Sequence, residues 1–303
     1  MSVLRPAPFA ATVALAIVVA GAVHPRAIGT PAAQPPAARH CGTPPADIPA
    51  ITRNVRENLR RDYSTPRPFT WIEKRRDVDI SRLGRISVGP LRTFEVYPGQ
   101  VDDYKRLIAI DGKPLDPAEL ARRDAEHQHN LKTKAERERT ESPSRRAARL
   151  AKEAEEVRER DALIDDAGRV YSFAFECRDV IEGEPVLLLS LKPRPDARVT
   201  TREGDWMKRS QGRLWVTEHG HHIARVQFTA FDELSIGWGM VARIDAGSGL
   251  EYVRTKVNNV WLPAKLTMTG SGKTLLFRRF EVSTVTTFTD HQPYSASSGS
   301  PPG

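Results

Sequence analysis

Gly270, Gly272, Lys273 and Thr274 stand in the order G-x-G-K-T within the stretch LTMTGSGKTLLF, residues 266–277. Those residue types could cradle a phosphate: the glycines let backbone N–H groups approach it, and Lys and Thr reach the phosphate and its magnesium. The flanks argue against this. A phosphate loop needs a further glycine where Thr267 stands, and a helix must follow the Lys-Thr pair so that its N-terminus receives the charge. The segment TLLFRRFEVSTVTTFT is rich in Thr, Val and Phe and reads instead as a strand. GSGK is therefore expected to be the turn of a β-hairpin joining the last two strands, and neither a nucleotide nor any other cofactor is expected.

His219, His221 and His222 in TEHGHHIARV raise the question of a metal. Imidazoles are common zinc and copper ligands. These three surround Gly220 at the tip of an expected hairpin, where adjacent residues point to opposite faces, and no acid or cysteine lies at ligand spacing. A surface turn is the expectation, with no metal. His127 and His129 fall in a charged helix and are expected to be exposed. No G-x-S-x-G, H-E-x-x-H or C-x-x-C motif occurs. Asp165 and Asp166, ahead of Ala-Gly-Arg, read as a turn after a helix rather than as paired catalytic carboxylates. A non-enzymatic protein is expected.

The elements around these residues fall into distinct stretches. Arg5 precedes the short apolar run FAATVALAIVVAGAV, and Ala20–Ala22 offer an A-x-A cleavage site, so residues 1–22 read as a secretory signal peptide. Residues 23–43 are Pro/Ala-rich and read as a disordered linker. The chain carries 46 Lys and Arg against 38 Asp and Glu; three of the Arg lie before residue 41 without any acid, which leaves a mild positive excess. That balance suits an anionic envelope surface and gives no sign of a nucleic-acid partner. An exported chain with two cysteines can pair them, so a disulfide between Cys41 and Cys177 is open.

Residues 44–63 carry Ile48, Ile51, Val55, Leu59 and Tyr63 at helical spacing, with Arg53, Arg56, Arg60 and Arg61 between them. This pattern predicts an amphipathic helix with an apolar stripe on the core and arginines outward. Short strands follow, one ending at the Asp-Gly turn of IDGKPL. Residues 116–163 are dense in Ala, Glu, Arg and Lys, begin with Asp116-Pro117 and contain Pro143; they predict two solvated helices held by i,i+4 charge pairs. From residue 168 strand follows strand, to a disordered tail at 291–303. Ala224, Val226, Phe228 and Ala230 alternate with polar residues, as do Met240, Ala242 and Ile244 with their neighbours. Such strands bury one face. The fold class expected is α+β, a curved antiparallel sheet with few helices to cover it. Val226, Phe228, Trp238, Met240 and Ile244 are the candidate lining of an apolar hollow.

GRLWVTEHGHHIARVQFTAF resembles the paired strands G-x-x-W-hydrophobic and hydrophobic-x-R-hydrophobic of the periplasmic lipoprotein-carrier (LolA/LolB-like, outer-membrane lipoprotein-sorting) superfamily. NNVWLPAKLTM is similar to the G-x-W-x-P strand that follows in its members. The resemblance covers residues 44–110 and 168–290, within a domain spanning 44–290. It implies a half-barrel sheet with lid helices on the concave side, lipid or lipoprotein acyl chains as cargo, and a periplasmic or cell-envelope location. The insertion at 116–163 departs from the family's pattern, and the family's essential arginine cannot be assigned to one residue here. The alternative is an envelope sensor or scaffold, without lipid cargo, that binds a protein partner through 116–163.

Overall fold

The computed structural model describes residues 42–65, 68–80, 86–99, 103–236, 242–274 and 278–294. The first helix, α1 (Ile48–Ser64), is capped by Asp47, whose carboxylate accepts from the Ala50 N–H at 2.8 Å. Three strands follow: β1 (Phe69–Ile80), β2 (Ile86–Tyr97) and β3 (Tyr104–Ile110). The Asp-Gly turn is present, with Asp111 and Gly112 both at positive φ, and leads into the short β4 (Lys113–Pro114). Then come α2 (Pro117–Arg139) and α3 (Pro143–Val170), the two-helix insertion that Pro143 divides. The remaining elements are β5 (Tyr171–Ile181), β6 (Glu184–Pro193), α4 (Arg202–Met207), β7 (Ser210–Thr217), β8 (Ile223–Ala230), β9 (Leu234–Ile236), β10 (Ala242–Ile244), β11 (Gly249–Val257), β12 (Val260–Thr274) and β13 (Arg278–Pro293).

All the strands belong to one antiparallel sheet in the order β4-β3-β2-β1-β13-β12-β11-β8-β7-β6-β5, with β9 and β10 joined at one end of β12. The last strand returns to lie beside the first, pairing Phe69 with Pro293. Among the described residues the two outermost strands do not pair, so the sheet stays open, a curved half-barrel with lid helices. This is the α+β class expected.

Three local readings change. The GSGK segment is not a turn but part of β12, paired with β13 from Gly270↔Val282 to Thr274↔Arg278. Its glycines serve close approach: β10 crosses so near that a Cβ on Gly272 would lie 2.0 Å from the Arg243 carbonyl oxygen and 2.8 Å from the Phe280 ring. A Gly272→Ala substitution should therefore separate β10 from β12 and cost about 1–3 kcal/mol in denaturant unfolding. Next, α3 runs on to Val170, so Asp165 and Asp166 lie in a helix and the following strand starts at Tyr171. Ile164, Asp166 and Val170 are buried, so the end of α3, beyond the 116–163 stretch read as solvated, belongs to the core. Lastly, β13 holds its pairing to Pro293, beyond the expected start of the tail.

Candidate ligand-binding face

Apolar side chains from successive strands make two adjoining buried clusters. The first lies beneath α1. Ile51 and Val55 of the helix meet Val170 at the end of α3 and Tyr171, Leu187, Leu189, Leu191, Leu214, Val216 and Val226 of the sheet, with Leu59 beside them. The second gathers Phe69, Trp71, Phe94, Val96, Leu250, Leu262, Leu266 and Phe288. Phe228 and Tyr252 pack against both clusters and so join them into one apolar layer. The join follows from register. Val226 stands opposite Tyr252, and Phe228 opposite Leu250, so both pairs share a face.

The helix over the first cluster is held at its rim by polar contacts. Asn58 Nδ2 donates to the Gly220 carbonyl at 2.6 Å and to that of His221 at 3.1 Å; Asn54 Nδ2 lies 3.0 Å from His221 Nδ1. Asp62 accepts from Arg254 at 2.7 Å. Arg254 is only 4% exposed and also donates to the Trp261 and Ile223 carbonyls. Arg60 pairs with Asp165 at 2.5 Å and reaches Asp161 at 3.7 Å, while Arg56 lies 3.6 Å from Asp165. The arginine stripe therefore divides: Arg53 and Arg61 face outward, and Arg56 and Arg60 clasp α3.

Of the expected lining residues, Val226 lies directly under α1 and Phe228 bridges the two clusters. Ile244 sits apart, with Trp206, Ala230 and Leu234 in a separate cluster. Trp238 and Met240 lie outside the described residues. Cys177 is buried in a further cluster with Val186, Leu188, Trp215, Ala224 and Trp261; Cys41 lies outside the described residues. The histidine turn is more than surface. His219 is exposed, whereas His221 touches α1 and His222 is half-buried, its pKa lowered chiefly by burial against the pull of Asp62.

The insertion has its own joint with the sheet. Asp124 of α2 is buried and accepts a forked pair of bonds from Arg106 of β3, at 2.9 Å from Nε and 2.8 Å from Nη2. Arg106 also reaches Glu95 at 2.8 Å. Tyr104 donates to Asp124 at 3.2 Å, and its ring stacks on His127 with centroids 3.4 Å apart. His127 is thus half-buried, against expectation. A hollow of about 340 Å³ lies beside this joint, walled by Leu120, Ala121, Asp124, Ala125 and Arg106. Its charged wall is satisfied by its own ion pair. Asp124 alone among the acids of α2 is buried, and the sequence marks it only by its place near the helix start.

Acid should loosen both joints. The Arg106 bonds hold Asp124 below the usual carboxylate range. Burial holds His127 and His222 below the ordinary histidine value of 6.5. All three groups have a folded pKa depressed below the unfolded one, so their contribution is present at neutral pH and lost on acidification. Stability should fall first as pH drops below about 6.5, when the imidazoles must charge, and again below about 4, where the unfolded carboxylate takes up a proton that folded Asp124 resists. Urea midpoints between pH 8 and pH 3 would check this; a flat profile would contradict it.

No protein-family model matches the chain, and no curated protein matches it. Among solved structures, it is similar to an outer membrane lipoprotein-sorting protein domain from Vibrio parahaemolyticus at 10% identity, covering 81% of this chain and 94% of that one, with a TM-score of 0.29. A LolA superfamily protein from Nitrosomonas europaea is similar at 10% identity, with 81% and 93% covered and a TM-score of 0.25. The MucA/MucB complex from Pseudomonas aeruginosa matches at 10% identity over 83% and 100%, with a TM-score of 0.24.

Proposed function

We propose that this is an exported, non-enzymatic binding protein of the cell envelope that shelters acyl chains of lipids or lipoproteins against its apolar layer, with α1 as the lid. One observation carries the reading. Phe228 and Tyr252 join two apolar clusters into one layer, and the element over part of it is an amphipathic helix that lays Ile51 and Val55 on the layer and is pinned by polar contacts at its edge. The two clusters are buried and Phe228 and Tyr252 half-buried in this closed form, so a chain enters as the lid shifts. Transfer of an acyl chain from water contributes roughly 25 cal/mol per Å² of apolar surface removed, enough for reversible holding. Delipidated protein incubated with envelope lipids and examined by native mass spectrometry should show adducts of one lipid mass. Protein that stays bare under every lipid condition would contradict the reading.

Export also brings Cys41 and Cys177 into an oxidising compartment. The chain just after Cys41 is held at β5, because the Thr43 carbonyl accepts from Arg178, next to Cys177. Their disulfide would make intact protein 2 Da lighter before reduction than after; equal masses would exclude it.

The insertion supports a second reading, docking of an envelope protein. The outer parts of α2 and α3 are exposed and carry the exposed apolar residues Leu131, Leu150 and Val157. Replacing residues 129–156 by a short linker spares Asp124, His127 and the buried turn at Ile164–Val170. It should leave the thermal midpoint within a few degrees of the parent. A partner lost from pull-downs with this variant, together with absence of bound lipid in the parent, would favour docking over carriage.

A further inference from the structure

One face of β1 changes character along its length. Phe69 and Trp71 are apolar, and Glu73, Arg75 and Asp77 follow at every second position. The partner strand matches it in register: Trp71 stands opposite Val96, Glu73 opposite Phe94, and Arg75 opposite Arg92. The apolar layer thus runs directly into a cationic end. Arg75 lies over the Phe94 ring, 5.1 Å from its centroid, which fixes both on the same face.

Two arginines directly opposite each other in neighbouring strands repel, and a sheet has no structural need of the pair. Here a single carboxylate bridges them. Asp77 Oδ2 accepts from Arg92 at 2.6 Å, and Asp77 Oδ1 lies 3.1 Å from Arg75 Nε. That second approach is not aligned as a hydrogen bond, and the buried Nε has no acceptor among the described residues. Glu73 is 1% exposed and is shared between Arg75 at 3.0 Å and Lys105 at 2.7 Å. Arg75 and Arg92 share the one bridging carboxylate of Asp77 and remain partly exposed at the end of the oily strip.

We infer that this end is a headgroup site, and that the preferred ligand is an amphiphile with an acidic, phosphate- or carboxylate-type headgroup. The chain lies toward Trp71 and Phe94, and the headgroup oxygens accept from Arg75 and Arg92. This rests on the carrier reading above and adds the sign of the headgroup. A guanidinium pair suits an oxyanion because it offers forked, charge-assisted donors. The bridging Asp77 holds the two arginines together when no ligand is bound and competes with the ligand for them.

The test compares two lipids that share one chain, 1-palmitoyl lysophosphatidic acid and 1-palmitoylglycerol, with inorganic phosphate as a third probe, using the full chain. The phosphorylated lipid should bind about tenfold or more tighter than the glyceride, and phosphate alone weakly. Arg92→Gln relieves a like-charge contact and should fold; it should bring the phosphorylated lipid down toward the glyceride without changing the glyceride. Asp77→Asn should do the reverse and tighten the phosphorylated lipid severalfold. Equal binding of the two lipids to the parent, or a preference that survives Arg92→Gln, overturns the headgroup site while the carrier reading stands. Failure of both lipids to bind overturns both. Phosphate binding as tightly as the lipid would mean a free-anion site and would also overturn it.

Discussion

An Asp166→Ala variant should unfold at a much lower urea concentration than the parent, losing about 3–5 kcal/mol. The side chain is wholly buried, yet it is charged and fully engaged. It accepts from the Thr201 N–H at 2.7 Å, the Thr201 hydroxyl at 2.6 Å, the Thr200 N–H at 3.0 Å and Arg169 at 2.5 Å. Thr201 in turn caps α4 by accepting from the Gly204 N–H. One carboxylate therefore ties the end of α3 to the start of α4. Gly204 leaves it room, since a Cβ there would lie 2.7 Å from Asp166 Oδ2. Alanine removes the acceptor and leaves two backbone donors without it. Asp166→Asn keeps the shape and one acceptor oxygen, so it should fall between alanine and parent. Burial raises the Asp166 pKa, but the bonds from Thr201, Arg169 and the Thr200 and Thr201 backbone outweigh it and the net direction is down. Its contribution is thus present above the unfolded carboxylate value near 3.9 and lost as pH falls through the lower folded value. An alanine variant as stable as the parent would show that this junction is not structural.

The second large effect belongs to the lid. Asp62→Ala leaves Arg254 buried without its carboxylate and should cost about 2–3 kcal/mol, reduced from the fully buried case because Asp62 keeps some water contact. Arg254→Met removes the buried charge together with its desolvation cost and should cost less than Asp62→Ala. Both should free α1. Hydrogen exchange of peptides covering residues 48–64 should quicken well beyond that of β6 and β7, and lipid uptake should speed up. Uniform acceleration throughout the sheet would mean that the pair stabilises the whole fold and does not latch the helix.

Local pattern made some of this legible. The Ile51, Val55 and Leu59 stripe predicts the face by which α1 meets the sheet, and alternation in Val226 and Phe228 predicts a shared buried side. The Asp-Gly pair at 111–112 predicts its turn through the positive φ that it tolerates. What failed depended on neighbours remote in sequence. The glycines of GSGK look like a turn because a turn and a close crossing strand both exclude a Cβ, and only the approach of β10 separates them. Asp166 reads as part of a turn after a helix because Thr200 and Thr201, which engage it, lie more than thirty residues away. Arg75 and Arg92 are unremarkable until β1–β2 register sets them side by side. Ile244 shares the period of a core strand, yet β10 pairs at the sheet's margin and carries it to the Trp206 cluster.

The central claim is that acyl chains lie on the layer joined by Phe228 and Tyr252. Its most direct measurement is photo-crosslinking with a lipid that carries a diazirine midway along its chain, followed by peptide mapping. The account predicts adducts on β8 and β11 peptides containing Phe228 and Tyr252, more abundant when α1 is loosened by Asp62→Ala. Adducts confined to α2 and α3, or none above an irradiated control, would contradict it.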